Sequence, residues 1–273
     1  MDPAWFICPV CATPLGAGAN QFALVCPNGH SFDIARQGYV SLVTGRTTAR
    51  GDTAAMVRAR RDFLSGGTFR PIAEALSAAV PSPAGRLADL GGGTGYYAAH
   101  LLQSHPGWQG VLLDVSPAAA RLAAQAQPRL TVATADLWAN LPLVSDSIDL
   151  VIVVFAPRNP AEIQRVLRPG GLCLVVSPSP RHLAELRQAW PMVSLDPAKA
   201  QRLADQFADF DRLGSRLVEY QRVLSPDDIA NVIAMGPSAF HLTAAELDAI
   251  RTTTEPTTVT ISVELHRFGA PTA

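Results

Sequence analysis

Three cysteines and one histidine near the amino terminus have the spacing of a metal-binding set. Cys8 and Cys11 form one Cys-x-x-Cys knuckle, and after a 14-residue gap Cys26 and His30 form a second knuckle. Two such turns direct three thiolates and one imidazole toward one centre, which is the tetrahedral ligand set of a structural zinc site. Because protein groups fill all four positions, we expect the Zn²⁺ ion to stabilise a small zinc ribbon and not to catalyse a reaction.

A glycine-rich turn is the second chemical signal. Residues 89–95 read Asp-Leu-Gly-Gly-Gly-Thr-Gly, between a short apolar run and a helix-like run. A strand, a glycine turn and a helix in this order present a nucleotide-like ligand at the carboxyl end of the first strand of an α/β sheet. The dinucleotide pattern places its last glycine three positions after the preceding one, whereas Gly95 comes only two positions after Gly93. A carboxylate at Asp89 would repel a pyrophosphate, whereas it suits the ammonium and sulfonium groups of S-adenosylmethionine. We therefore predict contacts of this cofactor with Asp89 and with the turn, at Gly91, Gly93, Thr94 and Gly95.

Two further acids follow strand-like runs. Asp114 ends the second run, 19 residues after Gly95, where a carboxylate would accept hydrogen bonds from ribose hydroxyls. Asp136 ends the third run, near the expected position of the adenine amino group. The alternative is that both acids only cap the helices that follow, a task that Ser116 and Pro117 can perform without Asp114. Because several elements agree in their order, we favour an S-adenosylmethionine site over a dinucleotide site.

The charge and the apolar runs of the chain limit its possible partners and location. The 273 residues are 48% hydrophobic and carry a net charge of −1, so any affinity for nucleic acid must come from a local patch. One basic region exists, and it is either a contact for RNA phosphates, a clamp for the cofactor carboxylate or a solvated helix face; it comprises Arg36, Arg46, Arg50, Arg58, Arg60, Arg61 and Arg70. The longest apolar run has seven residues and no secretory signal is present, so we expect a soluble cytoplasmic protein without membrane contact.

The order of the runs predicts an α/β fold. Alternating strands and helices from residue 86 onward indicate a Rossmann-like, class I methyltransferase sheet, and the alternating run 257–268 indicates one antiparallel strand. We expect two domains, a zinc ribbon for RNA recognition at residues 1–45 and a methyltransferase domain at residues 46–273. The apolar strand 149–157 ends in Phe155-Ala-Pro-Arg-Asn159, where this fold holds the methyl acceptor.

These motifs together resemble the bacterial 23S rRNA guanine-N1 methyltransferases of the RlmA/TlrB type. The similar stretches extend over nearly the whole chain, and the features specific to that group are the two knuckles, the segment Gly51-Asp-Thr-Ala-Ala55 and the loop Pro178-Ser-Pro-Arg-His-Leu183. The resemblance implies zinc on the four knuckle residues and cofactor contacts at Phe69, Gly93, Thr94 and His182. It also implies a homodimer that modifies a guanine of hairpin 35 in 23S rRNA, close to the macrolide site. This sequence has Phe69 where some relatives have tyrosine, and glycines where relatives often have cysteine and glutamate.

The sequence leaves the proton acceptor undefined. Guanine N1 carries a proton at neutral pH, and no Asp-Pro-Pro-Tyr-type acceptor motif is present. Arg158 or Arg181 could offset negative charge on guanine O6, but neither is a base. Two rival interpretations stay open: a methyltransferase for small metabolites, and a zinc-ribbon RNA-binding protein that lacks enzymatic activity.

Overall fold

The computed structural model describes residues 1–45, 51–190, 192 and 199–272. Its strands follow in chain order as β1 (Gly16–Ala17), β2 (Ala23–Val25), β3 (Ser31–Asp33), β4 (Tyr39–Ser41), β5 (Ala84–Leu90), β6 (Gly107–Asp114), β7 (Leu130–Thr134), β8 (Ile148–Val154), β9 (Leu167–Pro178), β10 (Asp211–Leu224) and β11 (Thr257–Gly269). The first three strands form a small antiparallel sheet, as expected for a ribbon.

The remaining strands form one eight-stranded sheet in the order β10-β11-β9-β8-β5-β6-β7-β4. β11 runs antiparallel to both of its neighbours, β9 and β10, and the other pairs are parallel. The predicted mixed sheet with one antiparallel strand is therefore confirmed. β5 lies near the middle of the sheet, so the glycine turn after it opens at the centre of the sheet's carboxyl edge.

Nine helices cover the two faces of the sheet in the described part of the chain: α1 (Ala54–Ser65), α2 (Arg70–Ser77), α3 (Tyr96–Ser104), α4 (Pro117–Ala123), α5 (Pro160–Val166), α6 (Ala184–Ala189), α7 (Lys199–Gln206), α8 (Pro226–Ala234) and α9 (Ala244–Thr253). Their starts follow local sequence signals. Thr53 caps α1 and Ser116 caps α4, each by accepting a hydrogen bond from a backbone N–H. None of the helices within these described ranges has the length and hydropathy needed to cross a bilayer.

The amino-terminal unit shares its core with the large sheet. Its last strand, β4, pairs in parallel with β7, so the ribbon unit supplies the edge strand of the methyltransferase sheet. Trp5 is 1% exposed, and the guanidinium of Arg86 lies 4.0 Å from its ring centroid. Phe6 forms an antiparallel bridge with Leu143. The division at residue 45 stays a prediction, since the two units share both a sheet and a core.

Candidate functional site

The four predicted metal ligands lie together. Their donor atoms are all within 4.8 Å of one another, with the Cys26 Sγ 3.3 Å from the His30 Nδ1 and 3.7 Å from the Cys11 Sγ. Thr13 lies 3.2 Å from the Cys11 Sγ, and this hydrogen bond is the main reason that the pKa of Cys11 is lowered to about 5. Three sulfurs and one imidazole at these distances from one another fit a four-coordinate zinc ion, which has no ligand position open for a substrate.

The glycine turn needs glycine for two reasons. Gly91, Gly93 and Gly95 have φ values of +73°, +56° and +79°, a region that L side chains rarely adopt. A Cβ atom on Gly91 would also lie 2.5 Å from the Cβ of Ala156, on the segment after β8. The turn therefore packs against the ends of β5 and β8, with its backbone exposed toward the space above the sheet.

A cavity of about 500 Å³ opens above this turn. Five of the predicted cofactor residues contribute to its wall: Phe69, Gly91, Gly93, Thr94 and His182. The other four predicted residues are not among the described residues that line the cavity: Asp89, Gly95, Asp114 and Asp136. The structure thus brings the glycine turn together with Phe69, 22 residues before Gly91, and with His182, 87 residues after Gly95.

Asp114 supports the glycine turn from the end of β6. Asp114 accepts a hydrogen bond from the Gly93 N–H at 2.9 Å and another from the Ser116 N–H at 2.8 Å. Burial raises the pKa of Asp114, and these two backbone hydrogen bonds oppose the rise. Asp114 therefore holds the turn in place in this structure, and its predicted contact with ribose hydroxyls stays a prediction.

Asp89 is completely buried beneath the turn. A Cβ atom on Gly92 would lie 2.5 Å from the Asp89 Oδ2, and neither carboxylate oxygen has a hydrogen-bond partner of normal geometry in the described chain. Burial, together with the nearby charge of Asp114, raises the pKa of Asp89 to about 8. The structure therefore does not place this acid on the cavity wall, where a direct contact with the cofactor ammonium would put it. Asp136 also lies off the wall, and its Oδ1 accepts a hydrogen bond from the Trp138 N–H at 2.9 Å.

An aromatic cluster forms one side of the cavity. The ring centroid of Phe69 lies 5.8 Å from the ring centroid of His182, and the ring centroid of Phe155 lies 5.7 Å from that of the same histidine. The Ser262 N–H donates to the His182 Nδ1 at 3.2 Å, which fixes the orientation of the imidazole. Phe155 has a φ of +55° and is 40% exposed, whereas Phe69 is 1% exposed. Of these three rings, Phe155 is the one most available to a planar ligand.

The basic region separates into residues with different roles. Arg60 lines the cavity and forms an ion pair with Asp52 at 2.5 Å, whereas Arg61 and Arg70 pair with acids on the protein surface. Arg36 and Arg58 are exposed, and Arg46 and Arg50 lie outside the described residues.

The sequence did not reveal that Arg187, Arg202 and the segment 232–238 also line the cavity, because these residues approach it only through tertiary packing.

Comparisons with known proteins bear on both the ribbon and the cavity. Residues 6–44 match the RlmA N-terminal zinc-ribbon family, and residues 87–171 match a methyltransferase-domain family. A 23S rRNA (guanine(748)-N(1))-methyltransferase from Streptomyces fradiae is 43% identical over 246 residues, covering 88% of this chain and 87% of the relative. The chain belongs to the 23S rRNA guanine-N1 methyltransferase family. A protein from Micromonospora griseorubida, provisionally named for guanine-N1 methylation of 23S rRNA, is 41% identical over 282 residues, which cover 96% of each chain.

Solved structures support the fold assignment of this family member. A chain from the complex of the Haloferax volcanii Trm112 methyltransferase activator with a methyltransferase aligns with a TM-score of 0.51 at 22% identity, over 82% of this chain and all of that chain. The cavity above the glycine turn fits S-adenosylmethionine, since exposed backbone, aromatic rings and a cationic side chain surround a space of about 500 Å³. In a family of methyltransferases this cofactor supplies an electrophilic methyl group.

Proposed function

We propose that this protein methylates N1 of a guanine in hairpin 35 of 23S rRNA, close to the macrolide site, with S-adenosylmethionine as the methyl donor. The observation that carries the proposal is the presence of both a complete zinc-ligand set and a glycine-turn cavity in one chain, which is 43% identical to a named guanine-748 methyltransferase. An enzyme for small metabolites would need the cavity alone and would leave the zinc ribbon with only a structural role.

The residues around the cavity have separate tasks in this proposal. The backbone of residues 91–95, Phe69 and His182 would hold the cofactor, and Asp114 would fix the turn until ribose hydroxyls compete for its carboxylate. Asp136 would lie near the adenine, and Arg60 would bind the cofactor carboxylate beside Gly93. The target guanine would be extruded from its loop, because single-stranded RNA loops expose bases that a duplex hides.

Two further properties belong to the same proposal. The protein would act in the cytoplasm, where ribosomal RNA is found, and methylation beside the macrolide site would change macrolide susceptibility. It would act as a homodimer in which two zinc ribbons help to form an RNA-binding cleft. Light scattering over a range of protein concentrations, with and without RNA, measures this assembly directly.

Methyl transfer to a short hairpin-35 transcript tests the activity. The wild-type protein should introduce one methyl group that stops reverse transcriptase at a guanine, because a methyl group on N1 blocks Watson–Crick pairing. A transcript with adenine at that position should accept no methyl group. Transfer to small phenols or amines but not to RNA would contradict the proposal, and a protein that binds RNA without binding S-adenosylmethionine would show that it is not an enzyme.

A further inference from the structure

Four arginines contribute to the cavity wall, and each of them has a partner in the described chain. Arg60 pairs with Asp52 and also donates to the Met235 carbonyl at 2.8 Å. Arg187 donates to the backbone carbonyls of His182 and Pro180, and Arg202 has a partner as well. These contacts hold three of the arginines in the wall, and the fourth, Arg158, hydrogen-bonds to a neutral side chain.

Arg158 carries a positive charge that no acid of the described chain balances by an ion pair. Its Nε donates to the Oε1 of Gln206 at 3.1 Å, which is an uncharged partner. Burial lowers the pKa of Arg158, but an arginine stays protonated in proteins. A half-buried guanidinium in the cavity wall, without an acid in ion-pair contact, can bind a ligand group that supplies negative charge, so its position favours an anionic or strongly electron-rich ligand group.

The location of Arg158 matches the methyl acceptor and not the cofactor. Arg158 lies four residues after the end of β8. Phe155 lies between them in the sequence, and its exposed ring forms part of the cavity wall. Arg60 lies instead beside Gly93, on the side of the cavity that the glycine turn forms. The cavity therefore has one arginine at the glycine turn and another next to the aromatic ring at the end of β8.

Loss of the N1 proton, which guanine N1 methylation requires, creates the charge that this arginine can stabilise. N1 is protonated at neutral pH, and after the proton leaves, the negative charge is shared between N1 and O6. A planar guanidinium that donates to O6 stabilises this anion and increases its population at neutral pH. Phe155 can stack on the purine at the same time, because every base offers a π face to an aromatic ring.

We propose that Arg158 is a catalytic residue that donates hydrogen bonds to O6 of the target guanine and stabilises its N1-deprotonated form, while Phe155 stacks on the base. The inference rests on the function proposed above. The N1 proton passes to water, the N1 lone pair forms the new N–C bond, and the electron pair of the broken C–S bond stays on sulfur. The methylated ring is neutral, so its interaction with Arg158 weakens and product release is favoured.

Arg181, the other arginine that the sequence allowed for this role, is placed differently. Its side chain is 69% exposed, pairs with Glu219 at 2.9 Å and does not contribute to the described cavity wall. It therefore provides a matched control, an arginine in the neighbouring loop that is removed from the acceptor position.

Single-turnover methylation at a series of pH values tests the assignment. The Arg158→Ala variant should transfer methyl groups about 10²-fold more slowly at pH 7, the loss typical of a removed oxyanion donor. The deficit should shrink as the pH rises, because the N1 anion then forms without help. Arg158→Lys should show an intermediate rate, and Arg181→Ala should keep the wild-type pH profile. Thermal melting identifies any variant that is unfolded.

A spectroscopic titration gives a second readout that requires no methyl transfer. A hairpin with 6-thioguanine at the target position reports deprotonation of the base by its ultraviolet absorbance. Bound wild-type protein and bound Arg181→Ala should lower the pKa of this base, whereas bound Arg158→Ala should leave it near the value in free RNA.

The two readouts separate the possible failures. If wild-type protein methylates RNA while Arg158→Ala keeps the wild-type pH profile and the wild-type pKa of thioguanine, the assignment of Arg158 is wrong and the proposed function stands. A uniform loss of RNA affinity, equal at every pH, would also refute it, since that result identifies a phosphate contact. If wild-type protein fails to methylate RNA, the proposed function fails, and the role of Arg158 with it.

Discussion

The substitution Asp89→Asn should change how the stability of the cofactor-free protein depends on pH. Asp89 is fully buried, and burial followed by the charge of Asp114 raises its pKa from 3.8 to about 8. The folded state therefore retains a proton that the unfolded state releases between these two pH values. Stability is fully present below the lower value and decreases as the pH rises through this window, because the folded state binds more protons than the unfolded state.

The size of the effect follows from the same shift. Each pH unit within the window changes the free energy of unfolding by up to about 1.4 kcal/mol, so two units change it by about 3 kcal/mol. Asparagine resembles the protonated acid in size and lacks a titratable group. Between pH 5 and pH 7 the wild-type protein should thus lose about 3 kcal/mol more stability than the Asp89→Asn variant loses.

Urea unfolding at pH 5, 6 and 7, followed by circular dichroism, measures this difference. Zinc must be present at saturating concentration throughout, so that metal release does not add its own pH dependence. Replacement of the exposed Asp209 by asparagine provides the control and should leave the profile of the wild type unchanged. If the stability difference between wild type and Asp89→Asn is the same at pH 5 and pH 7, Asp89 is ionised in the folded protein and the reasoning is refuted.

Three further substitutions test the ribbon, the glycine turn and the contact between the units. Cys26→Ser should reduce zinc content from one ion per chain toward zero and lower the melting temperature, as measured by metal analysis and calorimetry. Gly91→Ala should cost about 1–3 kcal/mol and weaken S-adenosylmethionine binding in calorimetric titration, because φ is +73° and the new methyl group would overlap Ala156. Arg86→Ala should cost about 1 kcal/mol in urea unfolding through loss of the cation–π contact with Trp5, and an unchanged midpoint would show that this contact adds no stability.

Local signals in the sequence were sufficient for the ligand set, the glycine turn and the main sheet. The knuckle spacing fixes which four side chains can share an ion, and the alternation of apolar runs with turn residues fixes the order of strands and helices. The antiparallel position of β11 was predictable as well, since its alternating pattern differs from the continuous apolar run that makes up most of β8.

Contacts between distant segments were not predictable in the same way. β4 has three residues, and it becomes part of the large sheet only through pairing with β7, about 90 residues later. Asp114 was expected to face a ligand, yet the Gly93 N–H occupies its carboxylate, because the turn returns above the end of β6. The segment 232–238 reaches the cavity through the hydrogen bond between Met235 and Arg60, which no local pattern indicates.

The positions of the ribbon and the cavity place a physical constraint on RNA binding. The described cavity wall begins at Arg60, so no residue of the described ribbon, up to residue 45, contributes to it. Within the amino-terminal unit, Trp5 packs near the start of β5, under Arg86, whereas β4 runs parallel to β7 and so ends at the carboxyl edge of the sheet, where the cavity opens. An RNA loop that delivers a base to the cavity must therefore extend beyond the cavity wall to contact the ribbon of the same chain, or contact the ribbon of a second copy. In either arrangement we expect substitutions in the zinc ribbon to change RNA affinity, and substitutions of Phe155 and Arg158 to change the rate of methyl transfer.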